Sequence, residues 1–293
     1  MKRLDLVGCG TALVTPFRNG EVDYDALAAL VDMQVAAGIH FLVPLGTTAE
    51  TPCLSDTEKV EILKVCRAHA PKLKLVVGAG SNSLTGTMHN IDLLAPYGAD
   101  AFLIVAPFYN KPGQNGMIEY FKAVADYSPK PIVIYNVPGR TGVNITDATM
   151  LTIAEHGNIA AVKEASSNYA QISRLIAGAP EGFRVFSGND DETLSLMASG
   201  AVGVISVVSN VVPDKMAALC NAILDNDYTT ARELYRTLLP LCRNCFVESN
   251  PIPVKEALAQ MGLISNELRL PLTRATEETA EIMKKTLKDL NLL

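Results

Sequence analysis

Eight short apolar runs at a fairly even spacing constrain this chain more than any other feature. They cover 10–15, 40–45, 73–78, 100–106, 131–135, 159–163, 184–187 and 202–207. Most are continuously apolar rather than alternating, which marks strands covered on both faces and hence a parallel sheet. Amphipathic helical patterns lie between them, such as 23–37, 55–70 and 83–97, and Ser55-Asp56-Thr57-Glu58 fits a capping box. Eight strand-then-helix units predict an α/β fold, a closed (β/α)8 TIM barrel. An open doubly wound sheet is the alternative, but it usually has five or six strands and a phosphate loop after the first. Here the first run ends in Thr15-Pro16-Phe17, without a glycine fingerprint.

After residue 212 the strand pattern stops, and 213–226, 228–248, 253–261 and 273–291 read as helices. The first of these can close the barrel. The expected organisation is a barrel catalytic domain over 1–226 and a small C-terminal helical domain over 227–293. With 293 residues, 48% of them hydrophobic, the chain can bury the core such a barrel needs.

Charge and composition exclude other classes. Lys plus Arg is 25 against 31 for Asp plus Glu, a net charge of −6 with no basic run, so neither nucleic acid nor an anionic membrane is an expected partner. The most apolar segment, 201–212, is interrupted by Ser206, Ser209 and Asn210, so no membrane span is expected. Met1-Lys2-Arg3-Leu4-Asp5 has no apolar stretch of the kind a signal peptide needs. The six cysteines are scattered in mostly apolar surroundings, which implies free thiols and a reducing, cytoplasmic setting. Cys242-x-x-Cys245 lies inside a helical pattern, with no second pair or nearby histidine to complete a metal site.

In a (β/α)8 barrel the reactive residues come from the C-terminal strand ends and the loops after them. Here those ends gather hydroxyls, one amine and one guanidinium: Thr47 and Thr48, Tyr109, Tyr135, Arg140, Lys163, Gly188 and Ser206. Lys163 closes the run Ile159-Ala160-Ala161-Val162, where a strand would carry it into the barrel. Burial favours the neutral amine, a nucleophile. The competing reading is a buried ion pair, although Glu164 points to the opposite face of the strand. Tyr109 and Tyr135 suit proton transfer or a packed core, and Arg140 suits carboxylate recognition or the open surface. His40, His69, His89 and His156 fall away from the expected mouth, and no cluster has metal-ligand spacing. Gly78-Ala79-Gly80 reads as a tight turn, and Asn189-Asp190-Asp191-Glu192 as the cap of the next helix.

The series Thr11-Ala12-Leu13-Val14-Thr15-Pro16-Phe17, Gly46-Thr47-Thr48, Tyr109-Asn110, Tyr135-Asn136-Val137-Pro138, Lys163-Glu164-Ala165 and Ser187-Gly188 resembles the pyruvate-dependent Schiff-base lyases and aldolases. The likeness runs in order over nearly the whole chain. It implies that Lys163 forms an imine with pyruvate and that Tyr135 moves protons, wired to solvent through Thr47 and Tyr109. Tyr109 is expected to reach in from a neighbouring subunit of a homo-oligomer, a dimer of dimers. The resemblance also implies that the amides around Thr47 and Thr48 hold the pyruvate carboxylate. Gly188 and the Ile205 carbonyl would border Lys163, and no cofactor or metal would be needed.

Arg140 in Pro138-Gly139-Arg140-Thr141-Gly142 and the tail motif Glu248-Ser249-Asn250-Pro251-Ile252-Pro253-Val254-Lys255 resemble one branch of that family. This branch condenses pyruvate with L-aspartate 4-semialdehyde to 4-hydroxy-tetrahydrodipicolinate, in lysine and diaminopimelate biosynthesis. Arg140 would hold the semialdehyde carboxylate. The alternative is a pyruvate-forming lyase for 2-keto-3-deoxy sugar acids or N-acetylneuraminate. Ala49 stands where the family usually has glycine, and suits the position only if no positive φ is required. Lysine-inhibited relatives use a His, a Glu and a Tyr at the subunit interface. The aligned positions hold Lys59, Gly86 and Phe108, with Asn82 retained, which implies weak or absent inhibition by lysine.

Overall fold

A computed structural model of the chain describes residues 4–293. The reading of the N-terminus falls partly on residues 1–3, which lie outside the described residues. Among the described residues ten strands form: β1 Gly8–Ala12, β2 Phe17–Arg18, β3 Glu21–Val22, β4 Phe41–Val43, β5 Lys74–Gly78, β6 Ala101–Val105, β7 Ile132–Asn136, β8 Ile159–Glu164, β9 Arg184–Ser187 and β10 Gly203–Ser206. Eight of them close into a barrel in the order β1-β10-β9-β8-β7-β6-β5-β4, with every pairing parallel. The expected (β/α)8 barrel is therefore present.

Among the barrel strands the first departs most from the sequence reading. The first barrel strand runs over Gly8–Ala12 rather than 10–15, because Gly8 pairs with Gly203 and Gly10 with Ile205 across the closing seam. A Cβ on Gly203 would sit 1.9 Å from the Gly8 carbonyl oxygen, so only glycine lets this seam close. The remaining strands, β2 and β3, form a small antiparallel hairpin that the apolar-run pattern does not reveal.

The strands sort their side chains by alternation even where every residue is apolar. On β7, Val133 and Tyr135 enter the barrel interior, while Ile132 and Ile134 face the helices. Phe41 and Phe186 meet edge to face inside the barrel, centroids 5.5 Å apart. Leu4 and Leu6 join this inner cluster. The larger cluster lies between strands and helices, and its members include Leu27, Leu63, Phe121 and Ile172.

Helices cover the barrel as the pattern predicts, among them Tyr24–Ala36, Asp56–His69 and Leu84–Leu94. Ser55 and Glu58 make both halves of the capping box. After Pro213–Leu224 come Tyr228–Asn244, Ile252–Gln260 and Glu277–Asp289. The helix expected to reach residue 248 stops at Asn244. Asn250 precedes Pro251, a position that disfavours helical backbone, and the irregular stretch from Cys245 turns towards the barrel mouth. Among the described residues no helix is long and apolar enough to cross a membrane.

Candidate active site

A cavity of about 160 Å³ opens at the C-terminal ends of the barrel strands. Lys163 and Tyr135 enter it from adjacent strands, where they are direct partners in the β7–β8 pairing. Lys163 is only 5% exposed, and its Nζ lies 4.3 Å from the centre of the Tyr135 ring. Among the described residues Lys163 makes no ion pair, so the buried-ion-pair reading of this lysine does not hold.

Its neighbour Glu164 faces the other way, as strand alternation requires. The Glu164 carboxylate accepts from Asn136 Nδ2 at 3.1 Å and from the Ser166 N–H at 2.9 Å. Burial pushes this carboxyl above the usual range, with the Ser166 and Asn136 donors acting against it. Tyr135–Lys163 and Asn136–Glu164 are thus successive rungs, one inside the barrel and one behind it.

Thr47 and Thr48 line the cavity from a 3-10 turn, Thr47–Ala49, after β4. Leu45 at φ 58° and Glu50 at φ 54° make the sharp bends on either side, while Ala49 has no positive φ and is accommodated. The turn is fastened from a distance. Glu50 forms a fully buried ion pair with Lys255 at 2.6 Å, and Lys255 Nζ also donates to the Thr15 carbonyl. Desolvation lowers the pKa of Lys255, and the charge of Glu50 works in the opposite direction.

Arg140 reaches the cavity from the short helix Pro138–Thr141, which ends on Gly142 in the left-handed region. Its Nη2 donates to the Asn250 carbonyl at 3.1 Å. Gly188 lines the cavity after β9, the strand next to that of Lys163, and a Cβ there would come within 2.7 Å of the Ala165 side chain. The structure therefore brings Thr47, Thr48, Tyr135, Arg140, Lys163 and Gly188 together.

Two expected residues stand apart from that wall. Ile205 is buried within the barrel interior on β10. Tyr109 is 89% exposed, on a loop residue with φ 71°, and does not line the cavity of its own chain. No direct hydrogen bond joins Thr47 to Tyr135 among the described residues.

The four histidines lie away from the cavity: His40 contacts Asn221, and His69, His89 and His156 pair with Asp32, Asp56 and Asp126. Gly78 is the close approach expected of a tight turn, since a Cβ there would meet the Leu45 carbonyl oxygen at 1.8 Å. Asp190, read as part of a helix cap, instead accepts the N–H groups of Val207 and Val208 after β10 and is buried. That anchorage outcompetes capping because two buried backbone donors have no other partner to take them. Burial raises the Asp190 pKa. Cys242 and Cys245 are buried free thiols, pushed up chiefly by desolvation. Among the described residues no His, Cys, Asp and Glu cluster could hold a metal ion.

Phe246 and Asn250 also line the cavity, and sequence reasoning assigned them no role. The tail motif around Asn250 was visible as a signature. Its contact with Thr48, 202 positions away, was not.

A closed parallel barrel with a buried lysine that has no ion pair among the described residues and lies beside a phenol, with hydroxyls and a guanidinium around them, defines a (β/α)8 lyase of the imine-forming type. The sequence profile of the Dihydrodipicolinate synthetase family matches residues 5–290, and the chain belongs to that family. It is 45% identical over 287 residues to the 4-hydroxy-tetrahydrodipicolinate synthase of Thermosipho melanesiensis, covering 98% of this chain and 99% of that one. The crystal structure of dihydrodipicolinate synthase from Thermotoga maritima superposes with a TM-score of 0.96 at 43% identity, covering 98% of this chain and 99% of the other. The chloride-inhibited dihydrodipicolinate synthase of Acinetobacter baumannii, solved in complex with pyruvate, gives 0.96 at 37% identity with coverages of 98% and 99%.

Proposed function

We propose that this chain condenses pyruvate with L-aspartate 4-semialdehyde to 4-hydroxy-tetrahydrodipicolinate, the activity named for its relatives. The observation that carries this reading is Lys163, buried in the barrel mouth with no carboxylate at ion-pair distance among the described residues and 4.3 Å from the centre of the Tyr135 ring.

Lys163 Nζ attacks the keto carbon of pyruvate, and loss of water leaves an imine. The protonated imine withdraws electrons, so a methyl proton departs and an enamine forms. The enamine carbon attacks the aldehyde carbon, making the new carbon–carbon bond. The amine of the semialdehyde then closes the ring on the imine carbon and displaces Lys163. One water is released overall. Tyr135 donates and accepts the protons, a role supported by the 4.3 Å between its ring centre and Lys163 Nζ. The amides and hydroxyls of Thr47 and Thr48 receive the pyruvate carboxylate, and Arg140 receives that of the semialdehyde. Gly188 keeps the wall near Lys163 thin, and the Ile205 carbonyl borders the amine from β10.

Tyr109 supplies its hydroxyl to the cavity of a neighbouring copy, in a homo-oligomer assembled as a dimer of dimers. Its exposure and its left-handed backbone support that direction of reach. Residues 1–226 act as the barrel domain, and 227–293 as a helical appendage that contributes a wall of the site. The net charge of −6 and the six free cysteines fit a cytoplasmic biosynthetic enzyme. Lysine is a weak effector at most: Lys59 is already paired with Asp56, and Gly86 offers no carboxylate. Activity is expected to be unchanged in millimolar lysine, and halving would contradict this.

The decisive test traps the imine. Borohydride reduction in the presence of pyruvate is expected to leave an adduct on Lys163 by mass spectrometry, with turnover on adding the semialdehyde. Arg140→Ala should still form the adduct while losing about 100-fold in kcat/KM for the semialdehyde. An adduct without semialdehyde turnover in the parent enzyme would transfer the reading to the sugar-acid lyases.

A further inference from the structure

Asn250 touches both carboxylate-binding loops of the cavity. Its side-chain Nδ2 donates to Thr48 Oγ1 at 2.9 Å, and its backbone carbonyl accepts from Arg140 Nη2 at 3.1 Å. It is 5% exposed and lines the cavity itself. Its place is fixed from below, because Lys255, in the helix Ile252–Gln260 that follows, is locked to Glu50 at the end of the Thr48 turn. The two contacts use different parts of the residue, so a side-chain substitution separates them.

A hydroxyl has one hydrogen to donate and two lone pairs to accept with. When Asn250 Nδ2 donates to Thr48 Oγ1, one lone pair is occupied and the Thr48 hydrogen stays free to point into the cavity. We infer that Asn250 is a positioning residue that keeps the Thr48 hydroxyl in its donating orientation towards the carboxylate of the 2-oxo acid. The inference deepens the proposed reading of the site and rests on it. The opposite amide orientation would make Thr48 donate to the Asn250 oxygen, turning its hydrogen away from the cavity. The two orientations make opposite predictions for an aspartate at this position. A carboxylate cannot donate to Thr48; it can only take the hydroxyl hydrogen, and it adds a negative charge beside the anion to be bound.

The test uses the full-length enzyme, with pyruvate half-saturation read from borohydride-trapped adduct and from steady-state KM. Asn250→Ala is expected to raise pyruvate KM about tenfold, and Asn250→Asp about 100-fold. The semialdehyde KM should stay within about twofold in Asn250→Ala, because the carbonyl that holds Arg140 is unchanged. In a Thr48→Val background, which has no hydroxyl to orient, adding Asn250→Ala should change pyruvate KM by less than about twofold. A merely structural role would raise both KM values together and add to Thr48→Val. That result, or an Asn250→Asp enzyme with parental pyruvate KM, would overturn the inference. Parental enzyme that traps no pyruvate would instead overturn the reading of the site. Asp is nearly isosteric with Asn, so it keeps the test readable if the alanine variant does not fold.

Discussion

Two lysines are buried among the described residues, and their surroundings give them opposite behaviour. Lys255 is fully enclosed with Glu50 at 2.6 Å and sits 4.3 Å from the centre of the Phe17 ring. Lys163 has a phenol beside it and, among the described residues, no carboxylate at ion-pair distance; the charge of buried Asp190 reaches it only from further off. Removing one member of a buried pair strands the other charge. Lys255→Met is therefore expected to destabilise the protein by about 3–5 kcal/mol, and Lys255→Met with Glu50→Gln by clearly less. Urea unfolding of the three proteins checks this. At this scale much was legible. An apolar run that ends in lysine places that lysine at a strand tip, and alternation sends Glu164 to the other face. What was not legible depends on distant partners: Glu50 and Lys255 are 205 positions apart, and Asp190 and Val207 meet only because β9 and β10 are adjacent.

Elements were read from periodicity, and that worked where burial was two-sided and long. The eight barrel strands and the capped helix at 56–69 follow from it. The β2–β3 hairpin escaped, because strands of two residues carry no period. Gly78 ends β5 against the neighbouring turn, with no room for a Cβ beside the Leu45 carbonyl. Gly78→Ala should shift backbone and cost about 1–3 kcal/mol, read as a lower denaturation midpoint. Glu58 ties the start of its helix to Arg269 in the loop before the last helix, at 2.6 Å. The Arg269 guanidinium holds the Glu58 carboxyl at about 2, below its ordinary 4.5. A depressed folded-state pKa stabilises above the unfolded value and is lost as pH falls through the folded one. Parental protein should therefore be more stable than Glu58→Gln at pH 7, and the gap should shrink from pH 4.5 down to about 2. Unfolding free energies at pH 7 and pH 3 test it.

For the whole molecule, the exposed Tyr109 is the informative residue. If its hydroxyl serves another copy, two inactive variants can repair each other. Mixing Tyr109→Phe with Lys163→Ala and allowing exchange should restore about a quarter of parental activity, through hybrid pairs with one intact site. Activity that stays at the level of the separate variants would place the work of Tyr109 elsewhere. The assembly itself was not legible from the pattern of runs, because a surface tyrosine looks the same whether solvent or another copy covers it.

The last barrel strand ends at Ser206, yet one side of the cavity comes from Phe246 and Asn250, and its anchor is Lys255. During synthesis the eight strands thus emerge well before the reaction chamber is complete. A ribosome that stalled shortly after residue 226 would release a vessel lacking part of its rim. Fitness for chemistry arrives only once translation has passed Lys255, so selection for activity reaches well beyond the stretch that encodes the barrel.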